Sequence, residues 1–372
     1  MAGRFHFRSW CKVLVGGFLL GAATPAGLTA AGEEVGVPWL PADSLPSPSQ
    51  WQGQGVGVLD EAPPFTMRIG ARVQVRHTFE TEEDSNTLQI RRGRLSLGGE
   101  AYERFDYFIQ LELAGSQVRL FDANVRYALR PELVLWAGQG KAPFGRQQLV
   151  SSGALHFVDR SIVDGRFSVG RQQGLSLGGQ LGGDRVEYAT GIYNGNGINQ
   201  SSNPGGRVMS VGRVVLTPFG SLPLLESGRV RSPEQHLAVG VAGMNNTVEE
   251  ETGPVEISRM NGELVYRVGG WSATGEVYRE WARETGSPTD VSDGWYAQLG
   301  YLLPSSRHEV AARWAVVDSG LDQEESATES GLGYSYYFRG NSAKIQADVR
   351  NIRMKATGDD NQEFRVQFNL AL

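Results

Sequence analysis

The sequence predicts an all-β chain: a transmembrane, antiparallel β-barrel of sixteen strands with its third outer loop folded inward. Three observations predict it. Segments such as Phe364-Arg365-Val366-Gln367-Phe368-Asn369-Leu370-Ala371-Leu372 alternate between apolar and polar residues. A strand points successive side chains to opposite faces, so this alternation suits a sheet greasy on one side and wet on the other. The pattern recurs about sixteen times without any long apolar run, and a secretory N-terminus precedes it. Together these fit a barrel in the outer membrane of a Gram-negative type cell.

Arg4, Arg8 and Lys12 form a basic region ahead of an apolar stretch from Val13 to about Leu28, and small residues Ala30 and Ala31 close it. Residues 1–31 therefore read as a signal peptide cleaved after Ala31. Cys11, the only cysteine, lies inside it, which excludes a disulfide scaffold or a thiolate metal site in the mature chain. Residues 32–65 are rich in Gly, Pro and Ser, carry Trp39 and Trp51, and hold no Lys or Arg, as in a flexible periplasmic lead-in. Residues 66–372 form the barrel. No run of eighteen apolar residues follows the signal peptide, which excludes helical spans. Without its three cations the chain has 32 Lys and Arg against 41 Asp and Glu, a net of −9 that disfavours a nucleic-acid partner.

Strands are expected at 66–80, 87–101, 102–114, 117–129, 131–141, 171–181, 185–195, 206–217, 234–244, 255–269, 270–283, 292–303, 306–318, 329–339, 341–355 and 361–372. An even number is what single-chain bacterial barrels require. The connections alternate in length. Short inner turns include Arg130-Pro131, Gly182-Gly183-Asp184, Gly269-Gly270 and Gly340-Asn341. Longer outer ones span 81–86, 142–170, 196–205, 245–254, 284–291, 319–328 and 356–360, with acidic runs such as Glu82-Glu83-Asp84, Glu249-Glu250-Glu251 and Asp322-Gln323-Glu324-Glu325. The Pro-rich connection 218–233 is the exception, long on the inner side.

Parity assigns the faces. In the first strand Met67, Ile69, Ala71, Val73 and Val75 oppose Arg68, Arg72, Gln74 and Arg76. A charge facing lipid at mid-bilayer costs about 2–4 kcal/mol, so the arginine face is the lumen. The third strand puts Asp106, Gln110 and Glu112 inward, and the fourth Asp122, Asn124 and Arg126. In the second, Leu88 and Ile90 share parity with Arg92 and Arg94; a bulge near Arg91 resolves the conflict. Residues 66–171 carry 15 cations and 12 acids, whereas 172–372 carry 17 and 24. One side of the lumen is then basic within an acidic protein, and Arg68, Arg72, Arg76, Arg92, Arg94 and Arg126 form that wall. Such a wall either enriches anions or braces the barrel by pairing with Asp106, Glu112 and Asp122.

Residues 142–170 make the longest outer connection, with Arg146, Arg160 and Arg166 set to flank a solute if the loop enters the lumen. The run Gly138-Gln139-Gly140-Lys141-Ala142-Pro143-Phe144-Gly145 resembles the signature of the phosphate-selective porin O and P family. Arg91-Arg92-Gly93-Arg94, Asp159-Arg160-Ser161, Gly170-Arg171-Gln172-Gln173-Gly174 and Asn194-Gly195 extend the likeness. The resemblance implies a trimeric outer-membrane porin that passes phosphate-like anions over basic residues near its third loop. Lys141, Arg146, Arg160 and Arg171 match motif positions, and with Arg166 they make the expected constriction. Two departures stand out: Gln147 replaces an acid common after Pro-Phe-Gly, and the chain ends in Leu372 rather than Phe.

The expected partners are small anions, outer-membrane lipid, lipopolysaccharide and two further copies of the chain. No cofactor, metal cluster or catalytic set is expected; His156 near Asp159, with Ser151 and Ser152 close by, is the one suggestive proximity. Two other readings remain open: a general-diffusion pore with little ion preference, and a structural barrel without transport.

Overall fold

Strict alternation turns into strands wherever it occurs. The computed structural model describes residues 65–372 apart from 83, 103, 227–230, 251–252, 285 and 321–324. The signal peptide, all of the lead-in but Phe65, and parts of the three acidic runs lie outside the described residues. The strands are β1 (Arg68–Glu80), β2 (Ser85–Ala101), β3 (Phe105–Glu112), β4 (Arg119–Arg130), β5 (Leu133–Lys141), β6 (Arg171–Leu181), β7 (Val186–Tyr193), β8 (Met209–Leu216), β9 (Ser232–Glu250), β10 (Gly253–Gly269), β11 (Trp271–Glu284), β12 (Asp290–Leu302), β13 (His308–Asp318), β14 (Ala327–Arg339), β15 (Ala343–Met354) and β16 (Asp360–Ala371). Each pairs antiparallel with its sequence neighbours, and β16 pairs with β1 to close a sixteen-stranded barrel. Closure leaves no strand edge to face lipid without hydrogen bonds.

Burial is inverted relative to a water-soluble protein. Leu88, Ile90, Val241 and Leu332 are each more than 60% exposed, while Gln74, Gln367 and Asn369 are fully buried. The greasy face therefore points outward and the polar face inward, as parity requires. Aromatic pairs such as Phe105–Tyr127 and Trp271–Tyr301 sit at the short-turn end, where amphipathic rings suit a membrane interface. The conflict in β2 is resolved by a bulge: Gln74 pairs with Arg92 and Val75 with Ile90, so Arg91 is the extra residue. It leaves Ile90 outward and turns Arg92 and Arg94 inward.

One expected connection is strand instead. Residues 245–250 continue β9 and 253–254 begin β10, with Thr247 paired to Glu256 and Val248 to Val255. The alternation through Asn246-Thr247-Val248 and Val255-Glu256-Ile257 carries the hairpin onward, and acids are tolerated there because Glu249 and Glu250 are exposed. An acidic run is a signal for water, not for the end of a ladder.

Candidate functional site

Two connections make contact with polar strand residues and with each other. The connection 142–170 folds into two short helices, α1 (Arg146–Leu149) and α2 (Ile162–Phe167). Isolated helices this short do not persist in water, so side chains around them must supply the missing partners. The carboxylate of Glu276 on β11 accepts from the amides of Arg146 and Gln147, both at 2.7 Å, and from the hydroxyls of Tyr278 and Tyr296. Glu329 on β14 accepts from the Ile162 amide at 2.8 Å, and Asp348 on β15 from the Val158 amide at 2.9 Å. Ser161 caps α2 by accepting from the Asp164 amide. Apolar residues of the connection, Phe144, Val163 and Phe167, pack with Tyr193, Met209, Met244, Tyr278 and Tyr296 of the wall. Small inward residues make the room: a side chain at Gly294 would overlap Phe167, and one at Gly300 would meet His156.

The long inner connection after β8 explains itself here. Leu224 packs with Leu149, Val150, Ala154 and Leu155, and Leu222 with Val215, Ala238 and Val265. Glu226 accepts from the His156 amide at 2.9 Å and from Gln147 at 2.8 Å, while its own amide donates to Ala154. The small inward residues Ala238 and Ala242 are buried in this packing.

The five expected constriction residues lie on the connection 142–170 or at the strand ends beside it, and each has partners. Lys141 donates to the Leu149 and Val150 carbonyls at 3.1 and 3.2 Å. Arg146 donates to the Pro223 carbonyl at 2.8 Å and lies 3.8 Å from Glu263. Arg160 donates to the Gln147 and Val150 carbonyls and sits 3.8 Å from Asp164. Arg166 pairs with Glu280 at 2.8 Å and Glu325 at 3.3 Å. Arg171 makes a bidentate pair with Asp122, both bonds 3.0 Å.

The arginine wall is organised around a different residue. Asp159 gathers four guanidiniums: Arg76 at 2.5 Å, Arg92 at 3.2 Å, Arg365 at 3.8 Å and Arg91 at 3.9 Å. Arg365 is already paired with Asp348 at 2.7 Å and lies 3.3 Å from Glu363, so the local excess of positive charge comes from Arg76, Arg91 and Arg92 around one carboxylate. Burial alone would raise the Asp159 carboxyl, but Arg76, Arg92 and Arg91 hold it far below the usual range. Arg72 donates to Ser151 at 2.9 Å, and Arg94 pairs with Glu112 at 3.0 Å. Nε of Arg126 is buried without a hydrogen-bond partner, and Arg68 stands half-buried at the start of β1.

His156 does not approach Asp159. Its Nε2 lies 3.0 Å from Ser272 and 3.5 Å from Glu309, and Nδ1 3.3 Å from Gln298. Among the described residues no group of His, Cys, Asp or Glu is arranged to hold a metal ion. Sequence reasoning missed Glu226, Glu276, Glu329 and Asp348 as anchors. The acidic excess of residues 172–372, combined with inward parity, was the available signal.

Residues 65–234 match the family described as phosphate-selective porin O and P. No functionally curated protein matches the sequence. The barrel is similar to an anion-selective porin from Comamonas acidovorans (TM-score 0.60, 11% identity, 83% of this chain and 100% of that one). It is also similar to OmpT of Vibrio cholerae solved in a trimer form (0.57, 10%, 83% and 99%) and to the channel DcaP of Acinetobacter baumannii (0.55, 11%, 82% and 97%). At such identities the structural likeness speaks for the fold, and the matched segment for the lineage. Residues 65–234 therefore match the phosphate-selective porin O and P family, and they are carried on a closed sixteen-stranded barrel with the fold of outer-membrane porins.

Proposed function

We propose that this porin is a passive channel for small anions such as phosphate, narrowed by the connection 142–170. The observation that carries the reading is the crowding of Arg76, Arg91 and Arg92 on the single carboxylate of Asp159. A positive excess in a low-dielectric wall concentrates anions, and weak, multiple contacts let them leave again. The channel runs beside the wall of Arg68, Arg72, Arg76, Arg92, Arg94 and Arg126. Lys141, Arg146, Arg160, Arg166 and Arg171 form the constriction, where their contacts to loop carbonyls and acids fix its shape. The anion selectivity of the Comamonas porin and the trimer form of the Vibrio OmpT support anion passage and a homotrimer. Lipopolysaccharide surrounds the assembly, and the protein performs no covalent chemistry.

Planar-bilayer recording across a KCl gradient tests this directly. The expected result is stable conductance with a chloride-favouring reversal potential and block on adding phosphate. Cation preference or indifference to phosphate would mean general diffusion, and a folded but silent barrel would mean a structural role. In the double variant Arg146→Gln/Arg160→Gln the anion preference is expected to fall; unchanged selectivity would remove both residues from the constriction.

A further inference from the structure

Simple parity points Phe121 outward, with Ala123 and Val125. The β3–β4 register breaks there: Gln110 pairs with Asp122 and Leu111 with Leu120, so Phe121 is a bulge residue. Bulges re-aim side chains. This one brings the ring among three inward arginines from three strands. Arg171 lies 4.5 Å from its centroid, Arg94 4.9 Å and Arg119 5.5 Å. Arg171 and Arg94 also pair with Asp122 and Glu112. Arg119 differs. It is exposed, and among the described residues no carboxylate lies within ion-pairing distance of it. The ring face is its recorded partner.

A ring in a polar lumen offers nothing to a permeating inorganic anion. It does offer a negative face over which guanidiniums can gather without a carboxylate to neutralise them. We infer that Phe121 is a positioning residue for anion selectivity: its ring holds the Arg119 guanidinium beside Arg94 and Arg171 as an unneutralised anion contact. The lumen thereby keeps positive charge where a Glu or Asp brace would cancel it. This rests on the anion-channel reading above.

The test is phosphate block and KCl reversal potential for Phe121→Leu, Phe121→Tyr and Arg119→Gln, each first shown to be a folded barrel by its heat-modifiable migration on gels. Leu keeps the apolar bulk and removes the π face; Tyr keeps both. A cation–π contact of this exposure corresponds to an affinity change of about twofold to fivefold. Phe121→Leu and Arg119→Gln are each expected to weaken phosphate block by that factor, the double variant is expected to add nothing further, and Tyr is expected to restore block. An anion-selective wild type whose phosphate block is unchanged in Phe121→Leu overturns this inference alone. A wild type without anion preference overturns it together with the channel reading. If Phe121→Leu does not fold, unchanged block in Arg119→Gln overturns it equally.

Discussion

On β11–β16 the inward carboxylates among the described residues are occupied: Glu276 by loop amides, Glu280 by Arg166 and Arg259, Glu309 by Tyr337, Glu329 by Arg313 and Ile162, Asp348 by Arg365 and Val158, and Glu363 by Arg350. On β1–β4 the balance runs the other way, with Arg76, Arg91 and Arg92 sharing Asp159 and Arg119 set over a ring. The acidic wall is the cradle for the connection 142–170, and in the channel we propose the basic wall is what remains to the solute. Overall net charge is thus a poor guide to a pore: acids spent on backbone amides do not reach the lumen potential, whereas arginines in excess over carboxylates do.

The largest effect expected from breaking this comparison is at the cradle. Glu276→Ala strands the amides of Arg146 and Gln147 and two tyrosine hydroxyls, all buried, and is expected to cost about 3–5 kcal/mol. Urea unfolding in detergent should show a lower midpoint, with larger and noisier single-channel currents. An unchanged midpoint would mean that the loop is held elsewhere.

Next comes one arginine from each wall. Arg365→Met leaves Asp348 buried and without its bidentate partner, at about 3 kcal/mol, and should leave the reversal potential near wild type. Arg126→Gln should change stability by less than about 1 kcal/mol, since its Nε bonds nothing, yet move the reversal potential toward cations. Equal shifts in selectivity for both variants would abolish the distinction between the walls.

The smallest effect is a pH dependence. Burial pushes the Asp164 carboxyl up to about 6, against a partial opposing pull from Arg160, and its Oδ1 has no hydrogen-bond partner. The folded loop therefore favours the protonated acid, so this contribution is whole below about pH 4 and lost as pH rises through 6, about 2–3 kcal/mol in all. Asp159, depressed by its arginines, works oppositely, but its loss falls in stronger acid. Between pH 4 and 7 the unfolding midpoint should decline, and Asp164→Asn should flatten it. A wild-type profile flat over that interval would place Asp164 in water.

The strand count, the inward and outward faces, and even the bulge at Arg91 were legible in the sequence. Each follows from period-two geometry and the cost of placing charge in lipid, and those act residue by residue. The family motifs likewise marked the Lys141–Gly145 and Asp159–Ser161 segments before any contact was known. The partners of those residues were not legible. That Asp159 meets four arginines, that Glu226 arrives from the inner connection, and that Phe121 turns inward depend on which strands closure brings opposite one another. Those separations run from tens to hundreds of residues, as with Arg365 and Asp159. Where the ladder is regular, local pattern fixes which way a side chain points, whereas only strand pairing, barrel closure and the path of the long connection decide where the ladder breaks and what each side chain meets.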